Sequence, residues 1–297
     1  MNALFFYRWF DARALFGIGI LMAVLWVCSC NQVPREGLST VSASLFLQND
    51  LTKLEVVDSL PQADSARMIH VFVALCDNQY QGIVPVPKGI GNGQDPATNL
   101  YWGCGFGIKT FFKKSAEWQL VQSERPDSLI IERLLFKHKT QDVYLLAEAY
   151  NGQYIERCTR DFLSASSGAL QRRIAKDGTF LSFGGQSELL AYIGHDGLMD
   201  FEISETFAAR NTRKRNTIIL ACYSKHYFSP HLKQAGVEPL VWTTGLMAPE
   251  AYTLHDALTS YVAGENAEAI RTRAAKAYSR YQKCSEKAAR GLLVTGW

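Results

Sequence analysis

The sequence predicts an α/β fold, a three-layer sandwich in which a largely parallel sheet carries helices on both faces. Three observations lead to this prediction. Nearly continuous apolar runs such as "IHVFVALC" at 69–76 recur along the chain, as expected of strands buried on both faces. Segments with helical periodicity separate these runs. A chain of 297 residues that is 47% apolar and 20% charged can also bury one substantial core.

The elements follow in chain order. The predicted strands of the sheet are 69–76, 142–150, 188–194, 216–222 and 238–245. Residues 127–152 could also form a hairpin ahead of the second core strand. The predicted helices are 99–115, 154–166, 229–236 and two Ala-rich segments at 248–264 and 267–289.

The N-terminus is predicted to be a lipoprotein signal peptide over residues 1–29. Arg8 and Arg13 precede the apolar stretch 14–27, which is shorter than the roughly 20 residues of a membrane span. The following "CSC" resembles the lipobox of bacterial lipoproteins, in which a small residue precedes the acylated cysteine. Cys30 is therefore the predicted lipid attachment site, on an exported protein held at a bacterial cell membrane, periplasmic or at the cell surface. The alternative is an uncleaved N-terminal anchor helix.

The rest of the chain divides into a tether at 30–66, which is polar and mixed, and an α/β domain at 67–297. The net charge of +3 is spread along the chain, so nucleic acid is not an expected partner. Its one concentrated basic run, "RNTRKR" at 210–215, is predicted to be a solvated loop.

Cysteine usage favours a free thiol. Removing the signal and the lipid-bearing residue leaves an odd number in the body: Cys76, Cys104, Cys158, Cys222 and Cys284. An exported protein should pair its thiols, so an unpaired one invites a functional explanation. The sequence has no CxxC pair, no zinc-site spacing and no HExxH, so we predict no metal and no cofactor.

Two predicted strands end on reactive side chains. His195 directly follows the strand at 188–194, and Cys222 ends the strand at 216–222, 27 residues after His195. The carboxyl ends of parallel strands meet at one edge of a sheet, so both side chains are expected there. A thiol near an imidazole can become a nucleophilic thiolate. Taken singly, a strand-end cysteine is more often packing and a lone histidine is more often scaffolding.

The segments "AYIGHDG" at 191–197 and "IILACYS" at 218–224 resemble the caspase-like cysteine peptidases, which include caspases, gingipains, clostripain, legumain and separase. The resemblance implies a caspase-like α/β fold over about residues 67–285. It also implies that Cys222 is the nucleophile and that His195 is the general base and acid.

The sequence departs from this family directly after the histidine, where Asp196 stands before Gly197. The family forms its oxyanion hole from backbone N–H groups after the histidine and at the cysteine. The expected donors here are the backbones of Asp196, Gly197 and Cys222. The Asp196 carboxylate is also expected to stabilise a charged His195 ring. The interval of 27 residues is short for the family.

The long loop at 77–105 lies at the predicted active edge and is rich in glycine, proline and asparagine. We expect Asp77, Tyr80 and Trp102 to line a substrate groove, with core packing as the alternative for Trp102. A turn-rich surface loop is favoured over a cation site, whose oxygen ligands would be Asp77, Asn92 and Asp95.

These observations predict an exported, lipid-anchored cysteine endopeptidase that acts on a peptide or protein substrate. The alternative is a catalytically inactive caspase-like binding or scaffold lipoprotein. A third reading, an unrelated α/β hydrolase or transferase, lacks a GxSxG nucleophile motif.

Overall fold

Eight strands form one mixed sheet in the computed structural model of the chain, which describes residues 66–297. The strands are β1 (Arg67–Ala74), β2 (Trp118–Glu124), β3 (Ile130–His138), β4 (Val143–Tyr150), β7 (Leu189–Ile193), β8 (Asn216–Leu220), β9 (Glu238–Thr243) and β10 (Leu293–Val294). Their order across the sheet is β10-β9-β8-β7-β1-β4-β3-β2. Strands β5 (Gln171–Lys176) and β6 (Thr179–Gly184) form a separate hairpin.

The centre of the sheet is parallel. Strands β4, β1, β7, β8 and β9 pair in parallel, whereas β2 and β3 add an antiparallel hairpin at one side and β10 pairs antiparallel at the other. The predicted α/β class, the largely parallel sheet and the hairpin at 127–152 are therefore confirmed. From β1 the chain adds β4 on one side, and it then adds β7, β8 and β9 on the other side. The sheet therefore has a topological switch point between β1 and β7, and such points open a crevice at the carboxyl ends of the strands.

Helices pack on both faces of the sheet. They are α1 (Ile108–Lys113), α2 (Ile155–Ser167), α3 (Ser224–Ala235), α4 (Ala251–Val262), α5 (Ala267–Gln282) and α6 (Glu286–Leu292). Successive side chains of β1 pack on opposite faces of the sheet. Val71 and Val73 pack with α4 and α5, whereas Phe72 packs with α2 and α3. Within residues 66–297 no helix combines the length and the apolar character that a membrane crossing requires. The predicted signal peptide, Cys30 and the tether up to residue 65 lie outside the described residues.

The predicted helix at 99–115 is wrong for most of its length, since only Ile108–Lys113 is helical. Asn99 explains the difference, because its side chain bonds the N–H of Cys76 and of Tyr101 and so holds the chain in turns. Gly107 lies so close to the backbone of Trp102 that a side chain there would collide with it. Asparagine competes with helix formation through such side-chain bonds to the backbone.

The basic run at 210–215 is exposed except for its last residue, Arg215, which is 1% exposed. Its guanidinium donates to the carbonyl oxygens of Gly185 and Arg213 and to the side chain of Asn211. Burial lowers the pKa of Arg215. The prediction of a solvated loop is therefore wrong at Arg215, because neutral oxygens replace water around its charge.

A buried ionic cluster joins β1, β3 and β4 to the β5–β6 hairpin. Glu148 is fully buried; its Oε2 lies 3.1 Å from His70 Nε2, and its Oε1 lies 2.7 Å from Arg133 Nε and 3.2 Å from Arg172 Nε. The N–H of Gly184 donates to His70 Nδ1, so the neutral ring carries its proton on Nε2 and donates to Glu148. Burial alone would raise the pKa of Glu148, but His70 and the two arginines outweigh it, and the pKa lies below its ordinary value.

Replacing Glu148 by Gln should destabilise the protein by about 3 kcal/mol at pH 7, because Arg133 and Arg172 would keep their charges in a buried site without a counter-ion. Urea unfolding measures this loss. The control is Glu156→Gln, which removes an exposed carboxylate paired with Arg160 on α2 and should cost less than about 1 kcal/mol. Equal losses for the two variants would contradict a special role for the buried cluster.

Candidate active site

The register of two neighbouring parallel strands places His195 and Cys222 at one edge of the sheet. Ile193 of β7 pairs with Leu220 of β8, and the next N–H, from Gly194, donates to the Leu220 oxygen at 3.3 Å. His195 and Cys222 each stand two residues beyond this last pair. The sequence therefore brings the two residues to matched positions at the carboxyl ends of adjacent strands, where α/β sheets usually bind ligands.

The His195 ring is fixed by a carboxylate that the sequence analysis did not identify. His195 is 7% exposed, and its Nε2 lies 2.7 Å from Asp200 Oδ2. A 3-10 turn at Gly197–Met199 folds the chain back and brings Asp200 to the ring. Within residues 66–297, Nδ1 makes no hydrogen bond, so it is the ring nitrogen left for chemistry. In the sequence, the one indication of this contact is that Asp200 is an acidic residue in the loop directly after His195.

The Cys222 thiol contacts the loop after β9. Its Sγ accepts the Met247 N–H at 3.4 Å and lies 3.7 Å from the Met247 oxygen, to which it can donate. Among the described residues there is no hydrogen bond between Cys222 and His195. Burial raises the pKa of the Cys222 thiol; the Met247 N–H opposes this effect, and the charge of Asp196 adds to it. In this arrangement the thiol form is favoured over the thiolate.

A tight strand-to-helix turn presents Cys222. Tyr223 has a φ of 50°, a left-handed conformation that a non-glycine residue seldom adopts, and its N–H donates to the Gly245 oxygen at 2.9 Å. Ser224 then begins α3, and its hydroxyl bonds Thr243 Oγ1 at 3.1 Å. Cys222 therefore precedes the N-terminus of a 12-residue helix, where the helix dipole favours negative charge.

The three predicted oxyanion donors differ in their availability. Within residues 66–297 the N–H groups of Asp196 and Cys222 have no hydrogen-bond partner. The Gly197 N–H, in contrast, faces the hydroxyl of Tyr192 and opposes the rise in the pKa of that hydroxyl that burial causes; the hydroxyl donates to the His195 oxygen at 2.9 Å. Asp196 and Cys222 are thus the two donors free to bind a negatively charged oxygen.

The Asp196 carboxyl group is buried beside this site. Its Oδ1 accepts the Leu198 N–H at 3.0 Å, whereas Oδ2 has no partner within the described part of the chain. Burial raises the pKa of Asp196 to about 7, the Leu198 N–H opposes the shift, and Asp200 adds to it. The expectation that Asp196 stabilises the His195 ring is corrected, because the carboxylate bonded to the ring belongs to Asp200.

The three candidates in the loop at 77–105 lie in different environments. Trp102 is fully buried and donates to Glu132 at 2.6 Å, so it belongs to the core rather than to a groove. Tyr80 is 48% exposed. Asp77 is 2% exposed and accepts the Gln79 N–H and the Gln94 amide.

The loop at 77–105 also contains an open cavity of about 670 Å³, whose lining includes Asp77, Lys88, Gln94 and Asp95. The carboxylate of Asp95 accepts hydrogen bonds from the Ala97 N–H and the Thr98 hydroxyl. Within residues 66–297 no group of three or more His, Cys, Asp or Glu side chains is arranged to hold a metal ion.

Exposed apolar side chains concentrate at the edge of the sheet that holds the two candidate residues. Seven of the eight large hydrophobic side chains that are exposed in the described residues lie on loops after the carboxyl ends of parallel strands. They are Tyr80, Val84, Phe106, Tyr154, Met199, Tyr223 and Leu246. We call this set the apolar rim. Apolar surface gathered at one edge of a sheet is typical of an interaction surface.

Comparison of the chain with models of known families, with curated proteins and with solved structures found no match. Any assignment of function therefore depends on the geometry described above.

Replacing Asp196 by Asn should stabilise the protein more at pH 8 than at pH 4. The pKa of about 7 in the folded protein exceeds that of the unfolded chain, so wild-type stability falls as pH rises toward 7, and the variant escapes this loss. The relative gain between the two pH values should be about 2–4 kcal/mol, measured by urea unfolding. The control is Glu202→Gln, which replaces an exposed carboxylate in the same loop by a carboxamide. This variant should show no such gain. If the unfolding free energies of Asp196→Asn and wild type differed by the same amount at every pH, the raised pKa of the buried Asp196 carboxyl would be contradicted.

Proposed function

We propose that this protein is a caspase-like cysteine endopeptidase in which Cys222 is the nucleophile and His195 the general base and acid. One observation carries the proposal: His195 and Cys222 stand at matched positions beyond the last pair of β7 and β8. The unpartnered N–H groups of Asp196 and Cys222 at this edge support it.

The proposed reaction begins when His195 Nδ1 takes the Cys222 thiol proton. The thiolate attacks the substrate carbonyl carbon, and the resulting oxyanion accepts hydrogen bonds from the N–H groups of Asp196 and Cys222. His195 then gives its proton to the amine as the C–N bond breaks, which leaves a thioester on Cys222. Water attacks the thioester carbonyl carbon while His195 takes a proton from it. The C–S bond then breaks, His195 returns that proton to the Cys222 sulfur, and the free carboxylic acid leaves.

The proposed substrate is a peptide or protein chain. The apolar rim gives an exposed surface at the sheet edge that holds Cys222, on which apolar side chains of an extended substrate can be buried. An open edge with several exposed aromatic rings fits a polypeptide better than a small polar metabolite. For the reaction, Sγ must leave the Met247 backbone, either by rotation of the Cys222 side chain or by a shift of the loop after β9.

The thiol contacts also favour a second function, a catalytically inactive binding or scaffold protein. Cys222 bonds Met247 rather than His195, and its pKa is raised, which is the opposite of thiolate activation. The apolar rim would serve such a protein equally well, as a surface for a polypeptide partner.

Labelling with a peptide acyloxymethyl ketone separates the two functions. A peptidase should be modified at Cys222 and not at the other four cysteines of the described residues, of which Cys76 and Cys158 are buried. His195→Ala should slow the labelling at least about a hundredfold, because the base that forms the thiolate is removed. Mass spectrometry of tryptic peptides identifies the site, and the time course gives the rate.

The matched control for His195→Ala is His226→Ala, which removes an exposed histidine only four residues after Cys222. This control should label at the wild-type rate, and both variants should keep the wild-type circular dichroism spectrum. A thiol that resists the electrophile, or that labels equally in wild type and His195→Ala, would favour the binding protein.

We further propose that Cys30 carries lipid and holds the mature protein at a bacterial cell membrane, outside the cytoplasm. The "CSC" segment after an apolar stretch supports this localisation. A Cys30→Ser variant should accumulate as unprocessed precursor and lose the lipid-modified mass, whereas Cys28→Ser should be processed normally. Fractionation and mass spectrometry measure both effects. Unchanged mass and fractionation for Cys30→Ser would contradict the proposal.

A further inference from the structure

Asp200 lies between two hydrogen-bond donors that come from different parts of the chain. Its Oδ2 accepts the His195 Nε2–H at 2.7 Å and the Gly82 N–H at 2.8 Å. A backbone N–H can only donate, so Oδ2 is held as an acceptor at this position. The His195 ring nitrogen facing it must then carry a proton, which leaves Nδ1 bare in the neutral ring. The contact therefore selects the tautomer in which Nδ1 can act as a base.

The other polar groups around His195 do not compete for its ring. The Asp196 carboxyl bonds the Leu198 N–H, the Tyr192 hydroxyl donates to the His195 carbonyl oxygen, and Cys222 Sγ contacts Met247. Within residues 66–297 Asp200 is thus the carboxylate that bonds the imidazole. When the ring becomes charged during proton transfer, Asp200 is the group that stabilises it.

The position of Asp200 depends in turn on Gly82, in the long loop after β1. A side chain at Gly82 would overlap Asp200 Oδ1, so the close approach of backbone to carboxylate requires glycine there. The loop holds its own shape near this point, because the Gln81 amide donates to the carbonyl oxygens of Leu75 and Gly152. The loop is therefore linked to the His195 ring through one backbone N–H.

We propose that Asp200 is the positioning residue of a Cys222–His195–Asp200 triad and that the loop after β1 holds Asp200 in place through Gly82. The inference rests on the proposed peptidase function for its effect on rate. Its structural part, the choice of the His195 tautomer, is measurable in the absence of any activity.

Three variants separate the orientation that Asp200 supplies from its charge. Asp200→Ala removes both. Asp200→Asn keeps an acceptor, because the Gly82 N–H orients the amide oxygen toward itself and toward His195, but it removes the charge. Glu202→Ala, in an exposed part of the same loop, is the control. The readouts are the rate of Cys222 labelling by the peptide acyloxymethyl ketone and the ¹⁵N chemical shifts of the His195 ring.

Wild type should show the signature of an Nε2-protonated, Nδ1-bare ring. Asp200→Ala should lose that signature and label about a hundredfold more slowly, whereas Asp200→Asn should keep it and label about tenfold more slowly. Glu202→Ala should match wild type in both. An unchanged tautomer and an unchanged rate in Asp200→Ala would overturn the proposal.

Gly82→Ala tests the loop without removing the carboxylate. The added methyl group displaces Asp200, so the variant should reproduce the ring spectrum and the slow labelling of Asp200→Ala. Gly89→Ala is the matched control in the same loop, because a side chain there meets no atom within 4 Å, and it should behave as wild type. Wild-type behaviour of Gly82→Ala would overturn the role of the loop.

Failure of this proposal is distinguishable from failure of the peptidase function. If wild type does not label at Cys222, the peptidase is rejected, yet the ring spectra of wild type and Asp200→Ala still decide whether Asp200 orients His195. If wild type labels and Asp200→Ala labels equally fast, the peptidase stands and the triad is rejected.

Discussion

The parallel pairing of β7 with β1 on one side and β8 on the other is the interaction on which the candidate site depends. Ile193 is paired with Val73 and with Leu220, so the end of β7 is held from both sides. All five side chains of β7 are buried, and a slip of one residue would move each of them to the opposite face, for example Tyr192 into the layer that now packs Ala191 and Ile193. This register places His195 and Cys222 at matched positions beyond the strand ends without any polar contact between their side chains.

The polar contacts at this edge do not all favour catalysis. Asp200 orients His195, and two backbone N–H groups are free, as a peptidase requires. Burial, however, raises the pKa of both Cys222 and Asp196, and the thiol bonds the loop after β9. Low solvent exposure produces both effects, since it strengthens fixed hydrogen bonds and penalises isolated charges. A shift of the loop after β9 would release the thiol from the Met247 backbone.

Loops from distant strands build the rest of the site on this rigid edge. The loop after β1 reaches Asp200 through Gly82, and the loop after β9 reaches Cys222 through Met247. Both connections use the backbone, so they depend on chain path more than on side-chain type. The buried cluster around Glu148 anchors β1, β3 and β4 to the β5–β6 hairpin.

The sequence by itself determined the α/β class, the parallel core strands and the placement of His195 and Cys222 at strand ends, because burial on both faces imposes a continuous apolar pattern on each strand. It misplaced the helix at 99–115, where side-chain bonds of Asn99 outweigh local helical periodicity. Only the tertiary structure decided that Trp102 is core, that Asp200 and not Asp196 bonds His195, and that Met247 holds the thiol. These contacts depend on the path of irregular loops, and periodicity carries information about regular elements alone.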